Sequence, residues 1–286
     1  MSIDANAMEQ LLHIMARLRD PDSGCPWDRQ QTFASVVPHT LEEAYEVADA
    51  IESGDLEALK GELGDLLFQV VFYAQLGREC QAFEFDDIVA AINDKLIRRH
   101  PHVFSDVEID SAEAQTAAWE SYKAQERAEQ RASTMGVVGE EPASLLDGVI
   151  HALPAQTRAV KLQRRAARVG FDWQSVHQVF DKIYEEIDEV KAELAKSANQ
   201  ARIAEEIGDL IFACTNLARL ADVDPETALR GTNSRFESRF KNMEQRLAQR
   251  DCDPAKVKLT AEEWEALWQQ AKRDEAIDSA GTSAKC

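Results

Sequence analysis

The chain has 286 residues, 44% hydrophobic and 29% charged, too apolar for a disordered protein and long enough for two domains that each bury a core. Acidic residues outnumber basic ones 52 to 32, giving a net charge of -20. Such a surface repels phosphate backbones and anionic lipid, so nucleic acid and membrane are excluded as expected partners.

Taken in chain order, apolar residues recur at three- and four-residue steps and alternating strand-like runs are absent, which predicts an all-α fold. The first half reads as helices near 5–19, 41–52, 55–78, 85–99 and 111–131, with breaks at Pro21, Gly24, Pro26, Pro38, Gly54 and Pro101. Ser133 to Pro142 (STMGVVGEEP) has the composition of a linker, which is expected over 133–143. The second half reads as helices near 153–168, 174–197, 200–221, 225–249 and 260–275, with Pro225 at an N1 position after Asp224. The expected organisation is a domain over 1–132, the linker, a domain over 144–277 and a fraying tail over 278–286.

Cys25, Cys80, Cys214, Cys252 and Cys286 are odd in number and form no Cys-x-x-Cys pair, so they read as reduced thiols. The opening MSIDANAMEQ lacks a signal-peptide pattern, and the apolar run from Leu66 to Ala74 is broken by Gln69 and too short to span a bilayer. A cytoplasmic location is expected.

The two halves repeat one pattern. Glu43-x-x-Glu46-Val47 followed by Glu62-Leu63-Gly64-Asp65-Leu66-Leu67-Phe68 recurs as Glu186-x-x-Glu189-Val190 followed by Glu206-Ile207-Gly208-Asp209-Leu210-Ile211-Phe212. The spacer is 16 positions from Glu46 to Glu62 and 17 from Glu189 to Glu206, the variation expected of a loop joining the helices of a hairpin. Residues three apart share a helix face, so each hairpin brings two pairs of carboxylates together. A single Glu-x-x-Glu is ordinarily a solvated face, and Thr40-x-x-Glu43 also reads as a capping box. The duplicated set reads instead as a metal site, because converging carboxylates either hold their protons or bind a hard cation such as Mg²⁺ or Mn²⁺. Gly64 and Gly208, inside the helices, point to close approach of a neighbouring helix or ligand.

These residues resemble the all-α nucleoside triphosphate pyrophosphohydrolases with the pattern E-x-x-E, spacer, E-x-x-D, in particular the tandem-domain MazG family. The likeness extends to Gly24-Cys25-Pro26-Trp27-Asp28, Thr40-Leu41-Glu42-Glu43, Arg98 to Phe104 (RRHPHVF), Val169-Gly170-Phe171-Asp172-Trp173 and Trp268-Gln269-Gln270, and covers about residues 8 to 275. It implies a homodimeric helical bundle that uses Mg²⁺ to split NTPs and dNTPs into a monophosphate and pyrophosphate, with broad base tolerance. It further implies that Glu186, Glu189, Glu206 and Asp209 ligate metal and carry catalysis in the C-terminal half, with Glu43, Glu46, Glu62 and Asp65 as N-terminal equivalents. Nucleotide contacts are implied for Lys182, Glu185, Glu186, Arg202, Glu205, Asp209, Arg235, Arg239 and Trp268. Arg235 departs from a lysine frequent in the family, which keeps the charge and changes the hydrogen-bond geometry. In tandem members the C-terminal half carries most hydrolysis, and the same is expected here.

Other readings stay beside this one. Trp264 and Trp268 at helical spacing also read as core, and the basic residues as salt-bridged surface. Lys95, Arg98 and Arg99 read either as phosphate clamps for the first carboxylate set or as a helix end that complements the dipole. His100-Pro101-His102 lacks further Cys or His at zinc spacing and reads as a helix terminator. A di-iron bundle would need Glu-x-x-His on two helices, and neither acidic hairpin has it. The rival function is a nucleotide-binding regulatory scaffold with little turnover.

Overall fold

The computed structural model describes residues 7–105, 144–196, 199–250 and 258–282, together with the single positions 111, 115, 118, 122, 126 and 256. It divides into two compact units, Met1–Val137 and Val138–Cys286. No strand occurs among the described residues, and the chain is all-α.

The first unit contains α1 (Ala7–Leu18), a 3₁₀ turn (Asp28–Gln30), α2 (Phe33–Ser53), α3 (Leu56–Glu79), α4 (Phe85–Arg99) and the short α5 (Pro101–Phe104). Its core joins Met15 of α1, Val36 of α2 and Val71, Phe72 and Leu76 of α3. Arg19, just past α1, fixes the entry to α2: Nε and Nη2 donate to the Glu79 carboxylate at 2.8 and 2.6 Å, and Nη1 donates to the carbonyls of Asp28 and Gln31. Gly24 is required by a close approach. A Cβ there would stand 2.4 Å from the carbonyl oxygen of Leu18 and 2.5 Å from that of Asp20.

Helix α2 departs from the expected start at residue 41. It begins at Phe33, capped by Thr32 and Ser35 in a reciprocal box, and runs through Pro38. The Thr32–Ser35 cap satisfies the first free amides eight residues earlier than the Thr40–Glu43 box would, and packing of Val36 carries the helix past the proline. Thr40 is therefore interior, its hydroxyl bonded to the Val36 carbonyl at 3.2 Å and to the Tyr73 hydroxyl at 2.9 Å. Glu43 is not a capping residue.

The second unit contains α6 (Ala155–Ala167), α7 (Val176–Ala195), α8 (Gln200–Leu220), α9 (Pro225–Ala248) and α10 (Ala261–Thr282). Helix α8 packs on α6, α7 and α9, with Val160, Val179, Ile203 and Ala213 buried. Met243 and Leu247 of α9 close a second cluster with Leu267 and Ala271 of α10. Helix α10 continues beyond the expected end at residue 275 to Thr282, and residues 276–282 (AIDSAGT) contain no proline to stop it. The linker expected over 133–143, and the helix expected over 111–131 apart from single positions, lie outside the described residues.

Candidate active site

Each acidic hairpin places its carboxylates as a cluster. In the first unit α2 and α3 bring oxygens of Glu43, Glu62 and Asp65 within 4.8 Å of one another, and in the second α7 and α8 do the same for Glu186, Glu206 and Asp209. Glu46 lies within hydrogen-bonding reach of Glu43 and Glu62, and Glu189 within reach of Glu186. Burial, then the negative charges of Asp65 and Glu46, holds the Glu43 carboxyl above the usual carboxylate range. Glu62 is raised by burial and by Glu46 and Asp65, and Glu189 by burial and by Glu186 and Glu206. Compressed acids of this kind fit a hard divalent cation, which would relieve the repulsion. The buried Glu186 Oε2 has no hydrogen-bond partner, a further mark of a ligand atom.

The clusters differ in their counter-charges. Glu186 and Glu206 are both buried, and each has one cation beside it: Lys182 Nζ is 2.6 Å from Glu186 and 2.8 Å from Glu185, while Arg202 bridges Glu205 and Glu206. Hydrogen bonds to Glu185 and Glu186 hold the Lys182 ammonium above the ordinary lysine range, and the charges of Glu205 and Glu206 do the same for the Arg202 guanidinium. The matching positions of the first unit, four residues before Glu43 and Glu62, are His39 and Ala58. His39 faces Glu42 at 3.7 Å, and the group that reaches Glu43 is the neutral amide of Gln69 at 3.4 Å.

A cleft of about 780 Å³ opens beside the second cluster. Lys182, Glu186 and Asp209 belong to its lining, as do the residues of the Gly170–Trp173 loop. Gln163 of α6 and Asn216 of α8, both buried, line it between apolar side chains. Spacing on amphipathic helices gave these two amides no distinguishing signal.

Three residues implied as nucleotide contacts stand elsewhere in the second unit. Arg235, Arg239 and Trp268 are not among the residues lining the cleft. Arg235 donates to Thr232 at 2.8 Å, Arg239 pairs with Glu275 at 2.7 Å, and the Arg239 guanidinium lies 5.4 Å from the Trp268 ring centre. Trp268 packs against the α9–α10 cluster and contacts Phe236. In the first unit Arg98 pairs with Asp94 at 3.0 Å and Arg99 with Glu126, and His100 caps the end of α4 with its Nδ1 2.8 Å from the Leu96 carbonyl. At Gly64 and Gly208 a Cβ meets nothing within 4 Å, so among the described residues no neighbouring helix approaches them closely, which corrects that half of the expectation and leaves the ligand. The apolar residues beside them, Leu63, Leu67, Ile207 and Ile211, are exposed.

Comparison with known proteins agrees with this geometry. The model for the MazG nucleotide pyrophosphohydrolase domain matches twice, at residues 31–104 and 174–243, and each match includes one cluster. A protein of Escherichia coli (strain K12) named nucleoside triphosphate pyrophosphohydrolase is 50% identical over 271 residues, covering 94% of this chain and 98% of its own. A Thermotoga maritima protein named nucleoside triphosphate pyrophosphohydrolase/pyrophosphatase MazG is 40% identical over 264 residues, 92% of this chain and 95% of its own. A Mycobacterium tuberculosis nucleoside triphosphate pyrophosphohydrolase is 30% identical over 283 residues, 95% and 72% of the two chains. With two carboxylate hairpins, two family matches and two relatives alike over nearly their whole length, the chain belongs to the MazG nucleotide pyrophosphohydrolase family.

Proposed function

We propose that the chain is a Mg²⁺-dependent nucleoside triphosphate pyrophosphohydrolase of broad base tolerance, working as a homodimer in the cytoplasm, with its main active site at the second carboxylate cluster. The observation that carries the assignment is the union, in the second unit, of buried carboxylates, two cations and an adjoining cleft. Among the described residues no cation is paired with the first cluster, which favours a weak or structural role for Glu43, Glu46, Glu62 and Asp65.

Glu186, Glu189, Glu206 and Asp209 would hold the metal, which when bound neutralises triphosphate charge and makes water a better nucleophile. Lys182 and Arg202, flexible at their solvent ends, turn from the acids to phosphate oxygens as the substrate arrives. Glu185 and Glu205, paired to the same cations, hold them at the rim until then. Water adds its oxygen across the α–β phosphoanhydride, one P–O bond of the bridge breaks to release monophosphate and pyrophosphate, and the proton of the attacking water passes to a carboxylate of the cluster. Arg235, Arg239 and Trp268 complete the assignment as nucleotide contacts outside the cleft. The homodimer is supported by the exposed Leu63, Leu67, Ile207 and Ile211 beside open glycine faces, a surface suited to close packing of a second copy. The cytoplasmic assignment is supported by the free thiols of Cys25, Cys80 and Cys214 and accords with the finding that no helix among the described residues is long and apolar enough to cross a membrane.

The test is release of monophosphate and pyrophosphate from a panel of NTPs and dNTPs with Mg²⁺, comparing the unmutated chain with Glu189→Ala and Glu46→Ala. Loss of both products with Glu189→Ala alone is expected. Equal rates after Glu189→Ala would move the active site, and binding without product release across the panel would replace the enzyme with a regulatory scaffold.

A further inference from the structure

We infer that Arg219 is a positioning residue of the second carboxylate cluster: through Asp172 it pins the open end of the α7–α8 hairpin and so fixes the separation of the two pairs of acids. This rests on the reading of that cluster as the metal site. The acids sit on two neighbouring helices, Glu186 and Glu189 on α7 and Glu206 and Asp209 on α8. A cation shared by both pairs is sensitive to their separation, because Mg²⁺ requires near-ideal octahedral geometry. At one end of the hairpin residues 196–199 join the helices covalently. At the other end, where α7 begins at Val176 and α8 finishes at Leu220, the two helices have no covalent link.

The Arg219–Asp172 pair stands at that open end. Asp172 belongs to the Gly170–Trp173 loop, ten residues before Lys182, and Arg219 lies ten residues past Asp209, about 15 Å along the α8 axis. Arg219 Nη1 donates to Asp172 Oδ2 at 3.1 Å, Nη2 donates to Asp172 Oδ1, and Nε donates to Asn216 Oδ1 at 2.8 Å. Asp172 Oδ1 also accepts from the Trp173 amide at 2.8 Å, which ties the carboxylate to the backbone that leads into α7. A forked pair of this kind fixes direction as well as distance. The Arg219 side chain is 8% exposed and all three of its nitrogens are engaged by the protein, so it acts on the cluster through the two helices it joins.

The first unit closes the same end of its hairpin with other residues. Arg19, also buried, holds Glu79 at the end of α3 with Nε and Nη2, and with Nη1 it holds the carbonyls of Asp28 and Gln31 just before α2. The residue that matches Arg219 by its distance from the acids, ten past Asp65, is Gln75. A buried arginine thus closes both hairpins from positions that do not correspond, which marks the open end as a place where each hairpin has to be held.

The test is Mn²⁺ binding to the full chain, followed by the electron paramagnetic resonance of the free ion. Parent, Arg219→Met, Asp172→Ala and the double variant are compared, and Glu189→Ala identifies the share bound by the second cluster. The expected result is a roughly 10- to 100-fold rise in the Kd of that share in each single variant, with no further rise in the double variant. Binding that survives Glu189→Ala should be the same in all of them. The signs separate positioning from charge: loss of the Arg219 charge by itself tightens cation binding and loss of the Asp172 charge weakens it, whereas loss of position weakens both. Opposite shifts, unchanged Kd, or losses that multiply in the double variant would overturn the inference. Circular dichroism identifies the variants that fold, and Arg219→Lys, which keeps the charge and loses the fork, replaces Arg219→Met if the latter does not; its Kd should rise as well, and an unchanged value counts against the inference. If Glu189→Ala binds Mn²⁺ as the parent does, the metal reading of the second cluster has failed, and the role of Arg219 falls with it.

Discussion

Replacing Lys182 with methionine tests how the second cluster tolerates its own charge. Glu186 has only 5% of its side chain exposed, and Lys182 Nζ stands 2.6 Å from it. At that distance the gross attraction is about 6 kcal/mol for an effective dielectric near 20. Removing one partner of a fully buried pair costs about 3–5 kcal/mol, but Lys182 is 32% exposed, and solvent screening reduces the loss to about 1–3 kcal/mol. For a unit of this size each 1 kcal/mol moves Tm by about 2–4 °C, so the metal-free variant should melt roughly 2–10 °C below the parent. Mg²⁺ supplies the missing positive charge, and binding to the native state raises Tm in proportion to ln(1 + [Mg²⁺]/Kd). The Mg²⁺-induced rise should therefore be larger in Lys182→Met than in the parent, where Lys182 competes for Glu186. Differential scanning fluorimetry in EDTA and across a Mg²⁺ titration measures both quantities. Equal melting in EDTA, or equal Mg²⁺ increments, would refute the view that Lys182 and the cation share one carboxylate.

Glu79→Gln should destabilise the first unit by about 1 kcal/mol at neutral pH, a discounted figure for a pair with one partly exposed member. Arg19 hydrogen bonds hold the Glu79 carboxyl below the usual range; the stabilisation is then complete above the ordinary glutamate value of about 4.3 and is lost as pH falls through the lowered folded value. Urea melts from pH 7 to 3 should show the difference between parent and variant vanish at the acid end, and a constant difference would contradict the assignment. Gly24→Ala puts a methyl group against two backbone oxygens and should cost about 1–3 kcal/mol by chemical denaturation; a neutral result would mean the 18–24 turn yields easily. Gly208→Leu meets no obstacle within the chain and should leave helix content by circular dichroism unchanged. If the proposed homodimer uses this face, sedimentation velocity should show the variant dissociating at concentrations where the parent sediments as a dimer; equal sedimentation of the two would remove the Gly208 face from the proposed interface.

Much of the site was legible because it is written in helical spacing. Glu186 and Glu189, or Glu206 and Asp209, share a face by period alone, and Lys182 and Arg202 each precede an acid by four residues, so the ion pairs follow from one turn of helix. The duplication made the pattern distinguishable from ordinary surface charge. The start of α2 was less legible, since Pro38 reads as a break until the Thr32–Ser35 cap and the burial of Val36 are known. Gly64 and Gly208 carried a signal with two meanings, because sequence does not say whether a bare helix face meets a neighbouring helix or is left open for a ligand.

The sequence alone determined the all-α class, the repeated acidic hairpin and the residues of each cluster, because local periodicity and composition act within a few turns. Tertiary structure decided the rest: which carboxylates are buried, that among the described residues cations pair with the second cluster and not the first, and that Gln163, Trp173 and Asn216 from three separate segments line one cleft. Those properties depend on contacts between residues far apart in the chain, which no local pattern encodes.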